Sequence, residues 1–292
     1  MAEFMKSNKN YILHTFFISV FCVFFVFAQS CQTQDNEQNT VKITILHTND
    51  THSQVEPQER NNMGGFARRL GVIEQIRAEE KNVLLFDAGD FWQGTPYFNF
   101  FDGLLEIDAF NRMKYTAITL GNHEFDNGVE HLAEMLREAK IPIVNSNYVF
   151  ENQFLSEKIK PYIIKEIDGI RVGIMGLGIN LDGYVAQRNH EGVTCLDPIT
   201  VANEISDFLK TKKNCDLVIC LSHLGSISRR GAITDFDIAR ATRNIDVIIG
   251  GHSHQILENV TKKNLDEKDV IIAQMGRSGF YLGRIDLELE RK

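Results

Sequence analysis

From Val41 onward, short apolar runs alternate with segments whose apolar residues recur every third or fourth position. Ile43 to Leu46 and Val83 to Phe86 read as buried strands, and between them Phe66, Leu70 and Ile73 share one helical face. The same rhythm predicts a helix over Leu104 to Met113, a strand Ala117 to Leu120, a helix Val129 to Ala139 and a strand Ile141 to Val144. Further on it predicts a strand Ile170 to Met175, a helix Val201 to Lys210, a strand Leu217 to Leu221, a helix Asp237 to Arg243 and a strand Val247 to Ile249. Such alternation builds sheets flanked by helices. Val270 to Ala273 and Tyr281 to Leu289 have only a glycine-containing turn between them, so this end is expected to be antiparallel. With no internal repeat and no Pro/Gly-rich linker after Thr40, residues 41 to 292 are expected to form one domain.

The first thirty residues follow another pattern. Lys6 and Lys9 precede an apolar run from Phe16 to Ala28, and the chain turns polar at Gln29. That order predicts an export signal over residues 1 to 30. The run is too short for a spanning helix, which needs roughly 20 residues. Ala28-Gln29-Ser30-Cys31 resembles a loose bacterial lipobox, which implies acylation of Cys31; ordinary signal cleavage after Ser30 is the alternative. Residues 31 to 40 are nearly free of apolar side chains and read as a flexible tether. The expected location is therefore the periplasm or a membrane-anchored lipoprotein of a bacterium, with membrane contact only through the N-terminal lipid or signal.

Apolar residues make up 43% and charged residues 24%, a composition that excludes a disordered or fibrous chain. Removing residues 1 to 30 takes away Lys6, Lys9 and Glu3, leaving 29 basic and 38 acidic residues, a net charge of −9. A nucleic-acid partner is not expected at that charge. Cys195, Cys215 and Cys220 remain beyond the signal and Cys31, an odd number without metal-type spacing, so they read as small buried hydrophobes.

Polar clusters follow five of the apolar runs: Asn49-Asp50-Thr51-His52, Asp87-Ala88-Gly89-Asp90, Gly121-Asn122-His123-Glu124-Phe125-Asp126, Ser222-His223-Leu224-Gly225 and Gly250-Gly251-His252-Ser253-His254. Open α/β sheets bind ligands at the carboxyl ends of their strands, so these clusters can converge. Of nine histidines, five lie in them: His52, His123, His223, His252 and His254. With Asp50, Asp90 and Asn122 they offer mixed imidazole and oxygen ligation, which suits Zn, Mn or Fe rather than Ca. A lone histidine after a strand is usually just a satisfied polar residue, so the convergence carries the reading. His14, His47, His131 and His190 stand outside it. The aromatic stretch Phe91, Trp92, Tyr97, Phe98, Phe100 and Phe101 is expected mainly in the core, with docking surface or active-site wall as the other uses.

The stretches ILHTNDTH (45 to 52), GGFARR (64 to 69), DAGDFWQGTPY (87 to 97), GNHEFD, SHLG and GGHSH, in this order, together with the final FYLGRIDLELE, resemble the calcineurin-like metallophosphoesterases. They are most similar to the catalytic N-terminal domain of 5′-nucleotidases and UDP-sugar hydrolases. The resemblance implies an α/β fold (α+β by some schemes), a four-layer α-β-β-α sandwich of two mixed sheets flanked by helices. It implies two divalent metal ions, one held by Asp50, His52, Asp90 and His254, the other by Asp90, Asn122, His223 and His252, with Asp90 bridging. His123 resembles the family's catalytic histidine and Asp126 the aspartate that orients it; by residue preference Asp126 also fits a helix N-cap.

The implied activity is metal-dependent hydrolysis of phosphate esters, foremost release of phosphate from nucleoside monophosphates. The alternatives are phosphodiesterase or diphosphatase action on cyclic nucleotides or nucleotide sugars, or the catalytic half of a split two-chain nucleotidase. Relatives of that kind continue into a second domain that supplies most of the nucleoside pocket, whereas this sequence ends at Lys292. The expectation is therefore a separately encoded C-terminal domain as partner, or a domain acting alone on small phosphate esters.

Overall fold

In the computed structural model, which describes residues 39–228 and 231–291, the apolar runs become two six-stranded sheets. The first half of the chain forms β1 (Thr40–Thr48), α1 (Phe66–Glu79), β2 (Val83–Asp87), α2 (Pro96–Phe101), α3 (Leu104–Met113), β3 (Ala117–Ile118), α4 (Val129–Met135), β4 (Ile143–Val144), β5 (Tyr148–Phe150), α5 (Gln153–Lys158) and β6 (Ile159–Lys160). The second half forms β7 (Tyr162–Ile167), β8 (Ile170–Leu177), β9 (Val193–Cys195), α6 (Pro198–Thr211), β10 (Leu217–Ser222), α7 (Asp235–Ala241), β11 (Val247–Gly250), β12 (Ile256–Lys263), β13 (Asp269–Met275) and β14 (Gly283–Glu290). By contacts, residues 42–287 group as one unit; residues up to Val41 and from Glu288 on group as a second, in which the Arg291 N–H donates to Asn39 O (2.8 Å). The expected signal lies outside the described residues, as does the expected tether up to residue 38; Thr40 already belongs to β1.

The first sheet has the order β14-β1-β2-β3-β4-β6 and the second β12-β13-β11-β10-β8-β7; β5 and β9 make a separate antiparallel pair. Strands β1, β2, β3, β4 and β6 run parallel, as do β13, β11, β10 and β8, while β7 and β12 add antiparallel edges to the second sheet. Strand side chains alternate between faces, and the burial follows that period. Leu46 and Leu85 pack with Phe66, Ile73, Ile107 and Phe110 from α1 and α3. Val218, Cys220 and Ile248 pack with Val201, Leu209 and Ile238 from α6 and α7. The intervening residues Ile45, Phe86, Ile219 and Leu221 are fully buried on the opposite faces. There the sheets approach closely: the Ser146 N–H donates to Gly176 O (2.7 Å), and a Cβ on Gly176 would overlap Val144 O. The chain is thus a helix-sheet-sheet-helix sandwich of two mixed sheets.

One expectation fails. β13 and β14 are not an antiparallel pair; they lie in different sheets, and the antiparallel partner of β13 is β12. The intervening turn has Gly276 and Gly279 at positive φ and carries the chain from one sheet to the other. Strand β12 escaped the periodicity because its register shifts between Leu257 and Val260, around Asn259 at φ 55°, which breaks the period of two.

The aromatic stretch divides. Phe91, Trp92 and Phe98 are core residues, whereas Phe100 is 80% and Phe101 49% exposed. Cys215 and Cys220 are buried and Cys195 half-buried, all three as free thiols.

Candidate metal centre

Both sheets bring their carboxyl ends to one spot. Thr48 pairs with Asp87 on the last rung of β1 and β2, and Ser222 with Gly250 on the last rung of β10 and β11. Beyond β1 and β2 the loops stay zipped together: Asp50 N–H donates to Gly89 O (2.8 Å), His52 N–H to Asp90 O (3.1 Å) and Ser53 N–H to Phe91 O (3.0 Å). Asn49 Nδ2 donates to Asp50 Oδ2 (2.6 Å), and the His252 N–H reaches both Asp50 oxygens (3.0 and 3.1 Å), tying the first sheet's loop to the second's.

Asp50, His52, Asp90, His252 and His254 all have left-handed backbones, with φ of 48°, 47°, 57°, 64° and 54°. Such a conformation costs a non-glycine residue about 1–3 kcal/mol and persists only where its surroundings enforce it. Here it turns side chains from short loops inward to a common point. Two neighbouring positions tolerate no side chain: a Cβ on Gly121 would overlap Asp90 Oδ1, and one on Gly251 would lie 2.8 Å from His223 Nδ1.

His254 Nε2 lies 3.1 Å from Asp50 Oδ1 and 3.1 Å from His52 Nε2. His223 Nε2 lies 3.1 Å from Asp90 Oδ2, and His252 Nδ1 lies 3.0 Å from Asn122 Oδ1. His52 Nδ1 faces Gln93 O (3.1 Å) and His223 Nδ1 faces Ala88 O (2.6 Å). A carbonyl only accepts, so each Nδ1 carries a hydrogen and each Nε2 faces the centre, where it can bind a cation once its ring is neutral. His223 Nε2 is buried without a hydrogen-bond partner of good geometry, although Asp90 is near enough to act on it by charge. Imidazole nitrogens and the carboxylate oxygens of Asp50 and Asp90 thus gather within about 3 Å of one another, a concentration of donor atoms that favours a cation among them. The donor set therefore fits a divalent metal.

Three groups of side chains have ligand atoms close enough to share one ion: Asp50, His52 and His254; His52, Asp90 and His123; Asp90, His223 and His252. Asp90 belongs to two of them. Burial works against charge on both Asp90 and His223, but the two oppose each other as counterions, so Asp90 is held well below the carboxylate range and His223 is pushed up to about 10. Burial pushes His252 down to about 4 and lowers His52, so these rings are neutral, as ligands must be.

His123 stands at the rim, its ring centroid 5.2 Å from that of His52. Its Nδ1 lies 2.7 Å from Asp126 Oδ2. Burial pulls the imidazole down, yet the hydrogen bond to Asp126 and the charges of Asp90, Asp126 and Glu124 outweigh it and push it up to about 9. Asp126 does not cap the following helix: α4 has Gly128 at its N-cap and no side-chain cap. Tyr184 packs edge-on against His252, centroids 4.9 Å apart, and walls a cavity of about 410 Å³ that Asn147, Asn180 and Cys195 also line.

All nine expected site residues thus meet in one place, and the three described histidines judged to be background stay out of it. His47 is buried in β1, His131 packs on Trp92 and Phe98, and His190 lies 3.8 Å from Asp182. Sequence reasoning passed over the buried groups that hold the loops. Gln274 takes the backbone N–H of Gln255 (2.6 Å) and gives its own to Gly251 O (2.7 Å), and Glu124 takes four backbone N–H groups. Their signal was available: a glutamine inside the apolar run of β13, and an acid beside two ligand candidates.

A model of the calcineurin-like phosphoesterases matches residues 43–256, which includes every ligand candidate named above. The chain belongs to the calcineurin-like phosphoesterase family. It is 34% identical over 278 residues to the human 5′-nucleotidase, an alignment that covers 86% of this chain and 47% of that protein. Among solved structures, the Haemophilus influenzae NAD nucleotidase superposes with a TM-score of 0.77 at 29% identity, over 86% of this chain and 48% of that one. The 5′-nucleotidase precursor from Thermus thermophilus gives 0.75 at 33% identity, over 85% and 51%. The chain spans about half the length of these relatives. Within the family fold, the convergence of strand ends from both sheets accounts for where the ligand candidates sit.

Proposed function

We propose that this chain hydrolyses phosphate esters with two divalent metal ions, and that it releases phosphate from nucleoside 5′-monophosphates. The observation that carries the reading is the meeting of seven candidate ligand side chains, Asp90 among them, with the His123–Asp126 pair at their rim. Asp50, His52, Asp90 and His254 hold one ion; Asp90, Asn122, His223 and His252 hold the other. Zn, Mn and Fe all suit this donor set. When bound, such a pair supplies charge neutralisation for the phosphoryl oxygens and a lowered pKa for water.

The chain's own groups do the rest. The Asp126 carboxylate accepts the His123 Nδ1 hydrogen, so the other ring nitrogen is free to donate to the leaving oxygen. The Asp126 hydrogen bond and the neighbouring carboxylates push His123 up to about 9, so it carries the proton it would donate at neutral pH. Strained loops hold the ligands before substrate arrives. The cavity beside Tyr184 offers room for the organic part of the ester.

Because the relatives are about twice as long, a second domain that completes the nucleoside pocket is part of this proposal. So is export through residues 1 to 30, with acylation at Cys31 and a periplasmic or membrane-anchored location. Among the described residues no helix is long and apolar enough to cross a membrane. The Haemophilus relative is called an NAD 5′-nucleotidase, which supports testing dinucleotides beside monophosphates.

The test is phosphate release by purified chain from AMP, UMP, cyclic AMP, UDP-glucose and NAD, each with added Mn²⁺ or with a chelator. We expect Mn²⁺-dependent release that is strongest with the monophosphates. Turnover that survives the chelator, or none on any of the five, would overturn the proposal.

A further inference from the structure

Glu124 is fully buried between the loops that follow β2 and β3, and it belongs to none of the three ligand groups. Its Oε1 accepts the backbone N–H of Phe91 (2.9 Å) and Trp92 (3.1 Å); its Oε2 accepts those of Asp90 (2.9 Å) and Gly121 (2.6 Å). All four partners are donors. Burial and the charge of Asp90 push this carboxyl up to about 8, while the amides of Gly121 and Trp92 favour its charged form; with four donors aimed at it both oxygens accept, which an amide side chain cannot do.

The donors come from two loops, one carrying the shared carboxylate and the other a ligand candidate of the second ion. Asp90, Phe91 and Trp92 belong to the loop of the shared carboxylate, and Gly121 immediately precedes Asn122. The residue before Glu124 completes the grip, since the His123 N–H donates to Asp90 Oδ1 (2.9 Å). One turn of chain thus holds the backbone of Asp90 through Glu124 and its side chain through the amide of His123. Asp90 has φ 57°, a backbone that reverts to commoner conformations unless it is fastened.

We propose that Glu124 is the positioning residue of the metal centre: its carboxylate locks Asp90 in the left-handed conformation and fixes Asp90 against Asn122, so that one carboxylate reaches both ions. This rests on the two-metal reading given above. A residue that served stability alone would not need to bind both loops through the amide of a ligand residue and the amide just before another.

The test is Mn²⁺ binding to the full chain by competition with a chromophoric chelator, for wild type, Glu124→Gln and Glu124→Asp, alongside activity against Mn²⁺ concentration. Glutamine keeps the size but turns an NH₂ toward two N–H groups; aspartate keeps both acceptors on a shorter stem. We expect Glu124→Gln to bind Mn²⁺ at least tenfold more weakly, with Glu124→Asp between it and wild type. Raising Mn²⁺ should recover activity in both variants with KM for the ester within twofold of wild type. Should Glu124→Gln not fold, Glu124→Asp decides by the same reading, with a threefold or greater loss supporting the role. Wild type that binds two ions, matched within twofold by a folded variant, overturns this inference alone. Wild type that binds no ion overturns the two-metal reading, and this inference with it.

Discussion

His52 and His254, 202 positions apart in sequence, face each other with their Nε2 atoms 3.1 Å apart, and Asp50 Oδ1 lies 3.1 Å from the second of them. His52 spends its Nδ1 hydrogen on the Gln93 carbonyl, so its Nε2 presents a lone pair toward His254 and Asp50, where a divalent ion would sit.

A ligand that binds only the folded chain raises its stability. At a free ion concentration one hundred times its dissociation constant, one site adds about 2.7 kcal/mol. Thermal melting with Mn²⁺ and with a chelator should therefore differ by several degrees, and His254→Ala should shrink the difference. A melting temperature that ignores Mn²⁺ in the wild type would count against the metal centre.

The acid role of His123 predicts a dependence on the leaving group. His123→Asn should lower kcat on AMP by about 10²–10⁴-fold, the usual worth of a general acid. With p-nitrophenyl phosphate, whose leaving group needs no proton, the loss should be much smaller. Asp126→Asn keeps an acceptor for Nδ1 but removes the charge that raises His123, and should follow the same pattern more weakly. Bound metal per chain should stay unchanged in both. Equal losses on both esters would mean that His123 does not protonate the leaving oxygen.

The parallel strands that end in the centre were legible because a strand buried on both faces must be apolar throughout, as Leu217 to Leu221 is. The ligand candidates were legible because imidazoles and carboxylates clustered after such runs. What stayed hidden depends on contacts remote in sequence. β12 carries an exposed, bulged pattern that resembles a polar loop, and the partner of β14 is β1, some 240 residues away. The left-handed backbones of His52 and His254 have no signature in residue type, since histidine is not a residue that favours that region as glycine does.

His47 predicts an acid-sensitive term in stability. It is fully buried, neither ring nitrogen has a partner, and burial pushes it down to about 4 from 6.5. Between those values the unfolded chain binds a proton that the folded chain does not. Stability from this group is therefore complete above pH 6.5 and is lost as pH falls toward 4, by about 1.4 kcal/mol per pH unit. His47→Leu should flatten the denaturation midpoint against pH across that window, measured with chelator present so that metal loss does not contribute. His252, also pushed down to about 4, acts alike in both proteins and drops out of the comparison. Parallel curves for the two proteins would refute the assignment.

The aromatic stretch from Phe91 to Phe101 separates packing from surface within eleven residues, and two substitutions read the division. Trp92 is fully buried, packs against Phe91 and Phe98, and spends its indole N–H on Gly103 O (3.1 Å). Trp92→Ala removes a large core side chain and leaves that carbonyl without its donor, a combination that costs about 3–5 kcal/mol. Phe100, 80% exposed on the short helix α2, loses little on replacement, so Phe100→Ser should shift stability by no more than about 0.5 kcal/mol. Urea denaturation measures both. If Phe100→Ser were as damaging as Trp92→Ala, its ring would have to be covered in solution, and the exposed end of α2 would be a contact surface rather than free.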